Sequence, residues 1–447
     1  MNQSTIAAIA SPPGMGAVSL IRISGSDAAL VASRVFQGRP RKDWKPRYQH
    51  FGRIADSEGE KIDEVLLCYF PAPNSFTGED VVELACHGGV VVTKQVLSAV
   101  LAAGAQPAEA GEFSQRAFFN GRIDLTQAEA IMDLISAQTE LAAKAAQGQL
   151  EGKLGQEIQG IRAELIEVTA HVEAYIDFPE EDISPDSSQS ILAKVDGILA
   201  RIDGLLSTAD QGRILREGLK TVICGAPNAG KSSLLNLLLG FDRAIVNDVA
   251  GTTRDTIEEV INLNGIPLRL IDTAGIRDGE GAVEKEGIKR SRDQMDTAEL
   301  ILLIIDASSD SAALDPIVIP ESARVVRILN KSDLPQHSDW DEFDGFPISC
   351  HDSKSADLIR DYLYETLVKT GSVSTASQTA INTRHQHCLK QSRGSLERAK
   401  ECLARGESPE FVSMDLRAAL DSVGEVIGVT DVEEILGEIF STFCIGK

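Results

Sequence analysis

Gly225-Ala226-Pro227-Asn228-Ala229-Gly230-Lys231-Ser232 carries the clearest chemical signal in this sequence. Its glycines let backbone amides turn inward on phosphate groups, Lys231 can neutralise the charge of the outer phosphates, and the Ser232 hydroxyl can bind Mg²⁺. The apolar run Leu219 to Cys224 predicts a strand entering the loop, and Ser233 to Leu239 predicts the helix leaving it. A glycine-rich turn ahead of a helix can mimic such a loop, so the reading depends on the segments downstream.

Those segments keep the order that nucleotide chemistry requires. Gly251-Thr252-Thr253-Arg254-Asp255 resembles a switch segment in which a Thr hydroxyl completes the Mg²⁺ shell, with a plain polar loop as the competing reading. Leu268-Arg269-Leu270-Ile271 ends in Asp272-Thr273-Ala274-Gly275, which supplies a carboxylate near the metal and a glycine amide near the γ-phosphate. Leu300 to Ile305 predicts a buried strand, and Val325 to Leu329 another that leads into Asn330-Lys331-Ser332-Asp333. The Asp333 carboxylate can accept the N1 and N2 hydrogens of guanine; adenine would leave it unpaired, so the motif selects GTP over ATP. Ser349-Cys350 stands where a loop amide would read guanine O6. Together these motifs predict a parallel α/β P-loop domain. Ile276 comes directly after the Asp-Thr-Ala-Gly motif, where many such enzymes carry a water-orienting Gln, so that role must fall elsewhere.

The chain of 447 residues is long enough for several domains. Its 43% apolar and 5% aromatic residues suit a helix-rich globular protein, and its net charge of −24 argues against wrapping nucleic acid over the whole surface. Seven cysteines without a Cys-x-x-Cys pair indicate neither a disulfide framework nor a zinc site, which fits a reducing cytoplasm. The N-terminus lacks the basic region of a signal peptide and no apolar run reaches membrane-spanning length, so a chain that is neither secreted nor transmembrane is expected.

Residues 1–120 mix alternating runs, at 17–23 and 65–70, with helical stretches near 27–36 and 90–103, and predict an α+β domain. Thr126-Gln127-Ala128-Glu129 reads as a capping box opening a helical segment that runs almost to Tyr175. Ile191, Val195, Ile198, Ile202 and Leu205 mark a second long helix, 372–377 reads as a linker, and 382–442 is helical again. The expected division is an N-terminal domain (1–120), an all-α domain in two pieces (121–214 and 372–447) and an inserted GTPase domain (215–371).

Pro12-Pro13-Gly14, Arg22-Ile23-Ser24-Gly25, Ser75-Phe76-Thr77-Gly78-Glu79-Asp80, His87-Gly88-Gly89, Gly111-Glu112-Phe113-Ser114 and the terminal Phe443-Cys444-Ile445-Gly446-Lys447 belong to no generic GTPase. Combined with the nucleotide motifs, they make the whole chain resemble the bacterial GTPases of tRNA modification. That family acts with a flavin-dependent partner to install an aminomethyl or carboxymethylaminomethyl group on C5 of the wobble uridine, position 34. The resemblance implies GTP contacts from Asn228, Ala229, Gly230, Lys231, Ser232, Ser233, Asn247, Asp248, Val249, Ala250, Gly251, Thr252, Thr253, Asp272, Thr273, Ala274, Gly275, Asn330, Lys331, Asp333, Ser349 and Cys350. It implies Mg²⁺ at Ser232 and Thr253, and K⁺ at Asn228, Asn247, Val249 and Thr252. K⁺ would supply the charge that other enzymes take from an arginine finger.

Glu284 would orient the attacking water through a second water; by type alone it reads equally as a solvated helix acid. Lys231, Thr253, Glu284 and Cys444 are the catalytic candidates, and for Cys444 an inert buried thiol is the competing reading. The family also implies a formyl- or methylene-tetrahydrofolate held by Arg22, Glu79, Arg122 and Lys447; without the family, the two arginines read as surface ion-pair residues. Met15 stands where the family often has a basic residue. A homodimer, a heterotetramer with the flavoprotein and contact with tRNA are further implications. The alternative function is a GTP-dependent switch serving as an RNA or ribosome-assembly module, against which the acidic charge weighs.

Overall fold

The structure, a computed structural model, describes residues 4–177, 187–240, 259–271, 295–311, 320, 323–352, 354–369, 380–429, 433–441, 443 and 445–446. The chain forms two compact units, one from Met1–Met132, Gly155–Arg162 and Leu420–Lys447, the other from Asp133–Leu154 and Ala163–Ala419.

The first unit is built on β1 (Ile6–Ile9), β2 (Val18–Ser24), α1 (Ala28–Val35), β3 (Phe36–Gln37), β4 (Gln49–Ala55), β5 (Lys61–Phe70), β6 (Val81–His87), α2 (Val90–Ala102), β7 (Gln106–Pro107), α3 (Glu112–Phe119) and the start of α4 (Leu125–Ser136). Its sheet runs β3-β4-β5-β6-β2-β1-β7 and is antiparallel except for the β1–β7 pair. Strand alternation sorts the two faces. Ile21 and Ile23 of β2 are buried with Val31, Val35, Val96 and Val100 of α1 and α2, which sends Leu20 and Arg22 to the other face. Phe113 of α3 packs on that other face with Ile6 and Ala8.

The capping box at the start of α4 lies two residues earlier than expected. Asp124 Oδ1 accepts from Gln127 N at 2.9 Å while Gln127 Oε1 accepts from Asp124 N at 3.0 Å. Thr126 is inside the helix and donates its hydroxyl to Asp124 at 2.7 Å. Asp is a stronger N-cap than Thr, and Asp124 with Gln127 satisfies the same reciprocal spacing. The helical segment expected as far as Tyr175 is three helices: α4, α5 (Glu140–Leu150) and α6 (Lys153–Asp177). Thr139 caps α5 by accepting from Ala142 N, and Gly152 at φ 84° makes the left-handed turn that ends it.

The second unit continues with α7 (Ser187–Leu206), α8 (Ala209–Glu217), β8 (Leu219–Cys224), α9 (Lys231–Leu239), β9 (Glu259–Leu263), β10 (Ile266–Leu270), β11 (Leu300–Asp306), β12 (Arg324–Asn330), β13 (Phe346–Pro347), α10 (Lys354–Lys369), α11 (Thr383–Arg405) and the first part of α12 (Pro409–Ile427), which passes into the first unit at Leu420. Its sheet runs β13-β12-β11-β8-β10-β9 and is parallel except for the β9–β10 pair. In β11, Leu300, Leu302 and Ile304 pack with α9 and α10, while Ile301, Leu303 and Ile305 pack on the opposite face with Val222 and Trp340. Burial on both faces is why this strand reads as an unbroken apolar run.

Away from that sheet, α11 packs along α7, so helices from before and after the P-loop sequence meet. Val195, Ile198 and Ile202 are buried in α7, and Lys400 with Asp196 (2.5 Å) and Arg393 with Asp203 (2.6 Å) pair at the rim. The last helix, α13 (Glu433–Ser441), belongs to the first unit, where Leu436, Phe440 and Phe443 pack with Leu125 and Ala128. Beyond it, Ile445 pairs with Ala110 in an isolated antiparallel bridge. The sequence-predicted linker at 372–377 lies outside the described residues.

Candidate functional site

β8 has β10 on one side and β11 on the other, so the strand order reverses about it, and the loop leaving its C-terminal end opens where doubly wound sheets bind ligands. That loop is Gly225–Gly230, ending at the N-terminus of α9. Asn228 (φ 61°) and Gly230 (φ 104°) both take left-handed backbone, which bends the loop into a cradle of amides. Lys231 Nζ donates to the carbonyls of Gly225 (3.0 Å) and Ala226 (2.8 Å), so its ammonium is held over the loop. Burial lowers the Lys231 pKa. Ser232 is exposed and Ser233 half-buried on the first turn of α9, and within the loop Ala229 is buried.

β11 and β12 end in register, Asp306 beside Asn330, one strand over from the loop. Asn330 is buried and joins two segments: its Nδ2 donates to Ala229 O at 2.8 Å, and its Oδ1 accepts from Cys350 N at 3.1 Å. The phosphate loop and the Ser349-Cys350 loop are thus tied to one side chain. Lys331 takes left-handed backbone (φ 64°) and its Nζ pairs with Asp306 Oδ2 at 2.6 Å. Asp333 is exposed, and a hydrogen bond from the Ser349 side chain lowers its pKa, keeping it an acceptor. Burial pushes the Cys350 thiol up to about 11 and the Cys224 thiol, at the end of β8, likewise to about 11. Both shifts disfavour the thiolate, the nucleophilic form.

A second cluster lies in the first unit. The register that sets Arg22 opposite Glu83 makes an ion pair, Arg22 Nη2 to Glu83 Oε1 at 2.9 Å. The Arg22 guanidinium also lies 5.2 Å from the Phe76 ring centre and 5.7 Å from that of Phe113, and its Nη1 reaches Gly446 O at 3.5 Å. Glu79 accepts from Ser24 Oγ at 2.8 Å and pairs with Arg116 at 3.1 Å. Arg116 in turn pairs with Glu112 at 2.8 Å and donates to Ser4 O, also at 2.8 Å. Arg122 is exposed, with its stem against Gly78, next to Glu79 in the chain. Further along the same strands, Asp63 orients His87 of the His-Gly-Gly motif, with 2.7 Å between Oδ1 and Nδ1.

Three of the four sequence-predicted folate residues therefore lie in one unit on connected elements. The sequence reading missed Glu83 and Arg116, which hold Arg22 and Glu79. Arg116 had a local signal, a Glu112/Arg116 pair at helical i, i+4 spacing; Glu83 had none, because only the β2–β6 register brings it to Arg22. It also missed Asp306, whose partner Lys331 it had named.

Asn247, Asp248, Val249, Ala250, Gly251, Thr252, Thr253, Asp272, Thr273, Ala274, Gly275, Glu284, Cys444 and Lys447 lie outside the described residues. Among the described residues no group of His, Cys, Asp and Glu has the arrangement of a metal site, and no helix is long and apolar enough to cross a membrane.

Two family models match the chain, "GTP-binding protein TrmE N-terminus" over residues 5–122 and "MnmE helical domain" over residues 125–444. Relatives described as "tRNA modification GTPase MnmE" align over their full length. The protein of Akkermansia muciniphila is 47% identical, covering 100% of this chain and 99% of the relative. That of Natranaerobius thermophilus is 42% identical, covering 100% of both. That of Clostridioides difficile is 43% identical, covering 99% of both.

Proposed function

The chain belongs to the MnmE family of tRNA modification GTPases and is a GTP-hydrolysing enzyme of tRNA modification; from that premise we propose its nucleotide site, its ions and its reaction steps. The observation that most supports the nucleotide site is the bridging of Ala229 and Cys350 by Asn330, which joins the phosphate cradle to the base-reading loop. GTP lies with its phosphates against the Gly225–Ser233 loop and its guanine between Lys331, Asp333 and the Ser349-Cys350 loop.

Lys231 neutralises the outer phosphates. Ser232 and Thr253 would hold Mg²⁺, and Asn228, Asn247, Val249 and Thr252 would hold K⁺. The exposed, left-handed Asn228 at the mouth of the loop fits an oxygen ligand for a large monovalent cation. These ions supply positive charge where negative charge builds up on the transferred phosphoryl group. Glu284 orients the attacking water. With K⁺ held by these residues, the GTPase domains of a homodimer would pair in the GTP state and separate after hydrolysis.

In the first unit, Arg22, Glu79, Arg122 and Lys447 hold a one-carbon tetrahydrofolate. The exposed Phe76 ring beside Arg22 suits a flat heterocycle, and the guanidinium and carboxylate suit its polar edge. With a flavin-dependent partner in a heterotetramer, the enzyme adds an aminomethyl or carboxymethylaminomethyl group to C5 of uridine 34 in tRNA, with Cys444 as a catalytic candidate. The three-domain division at 120, 214 and 371 and a cytoplasmic location complete the proposal.

GTP hydrolysis in KCl against NaCl at equal ionic strength, with Asn228→Ala beside the natural chain, tests the mechanism. Hydrolysis stimulated by K⁺ and lost in the variant is expected. Equal rates in the two salts would sink the K⁺ reading and favour a conventional switch.

A further inference from the structure

We propose that Asp306 is a positioning residue for guanine recognition, acting through Lys331. The inference rests on the proposed guanine site and deepens it. Asp306 ends β11 directly beside Asn330, so its carboxylate emerges at the same sheet edge as the base-reading motif. One of its oxygens is already committed: Oδ1 accepts from Ser308 N at 3.0 Å and from Ser308 Oγ at 2.6 Å. That clamp fixes the carboxylate and leaves Oδ2 for Lys331 Nζ at 2.6 Å.

Lys331 needs such an anchor. Its neighbour Asn330 is pinned by two hydrogen bonds and points inward, and the left-handed backbone at Lys331 (φ 64°) turns the chain sharply just after it. The lysine side chain has four rotatable bonds and a strongly hydrated head, so without a partner it would sample many rotamers over the base site. Paired with Asp306, its ammonium is held at one point, and the hydrogen bond goes to Asp306 and not to Asp333, the acceptor that guanine needs, which feels Lys331 only through space. Burial opposes ionisation of Asp306, but the hydrogen bonds from Lys331 and Ser308 outweigh it and hold the group ionised.

The test measures GDP affinity by titration calorimetry and GTP hydrolysis by the full chain, for Asp306→Asn, Asp306→Glu, Lys331→Met, the Asp306→Asn/Lys331→Met double variant and Asp333→Ala. Asp306→Asn should weaken GDP binding and raise KM for GTP about tenfold, with kcat affected far less. The same substitution should shift GDP affinity by less than about twofold when Lys331 is already Met, because its effect travels through the lysine. Asp306→Glu, which keeps the charge, should recover most of the loss and decides the matter if the Asn variant does not fold. An Asp306→Asn loss as large in the Lys331→Met background as in the natural chain would overturn the proposal, as would undiminished binding by Asp306→Asn. If Asp333→Ala also binds GDP normally, the guanine-site reading itself has failed; if only Asp333→Ala loses binding, the fault lies with Asp306 alone.

Discussion

Gly230 of the phosphate loop is constrained both by its backbone and by a neighbour from another strand. It sits at φ 104°, and a Cβ there would collide with Asn330 Nδ2, the atom that ties the loop to the end of β12. Gly230→Ala must therefore displace Asn330 from Ala229 O while also bearing backbone strain of about 1–3 kcal/mol. GDP affinity measured by calorimetry should fall about tenfold or more, with the far-UV circular dichroism spectrum kept. Normal affinity would mean that Asn330 does not need its present position. Sequence spacing identified the glycine; the neighbour that makes it irreplaceable comes from a strand a hundred residues away in the chain.

Helix α4 illustrates how local signals compete. Asp124, Thr126, Gln127 and Glu129 offer two overlapping capping boxes, and the reciprocal pair that forms is Asp124 with Gln127. Asp124→Ala should then cost about 1 kcal/mol or somewhat more by urea unfolding, whereas Glu129→Ala, outside the box, should cost far less. The reverse order would restore the Thr126 box. Strand boundaries were more legible: the run Leu219 to Cys224 is β8 from end to end, and Leu300 to Ile305 misses only the last residue of β11. Both strands are buried on two faces, so their apolar runs stop where burial stops. The interruptions at Thr139 and Gly152 were not legible, because an Ala- and Gln-rich segment keeps helical periodicity across a short break.

The first unit is completed by the far end of the chain. Leu436, Phe440 and Phe443 bury against Leu125 and Ala128, Ile445 pairs with Ala110, and Gly446 O meets Arg22. Burying each such side chain contributes about 1.5–3 kcal/mol, so a chain ending at Val429 should lose several kcal/mol from this unit. Calorimetry should record a first-unit transition lowered by roughly 10 °C, and titration with 5-formyltetrahydrofolate should give no binding. A melting profile within about 2 °C of the natural chain would show that the C-terminal segment adds little.

The sequence by itself determined the nucleotide chemistry, the α+β, all-α and P-loop architecture, and the family, because phosphate loops, strand-end motifs and buried strands are written in contiguous residues. It named Arg22, Glu79, Lys331 and Asp333. It could not name what holds them. Arg22 finds Glu83 through the β2–β6 register, Lys331 finds Asp306 through the β11–β12 register, and Asn330 reaches Ala229 across the sheet. Register and strand order are set by packing of the whole core, so these partnerships are properties of the tertiary structure alone.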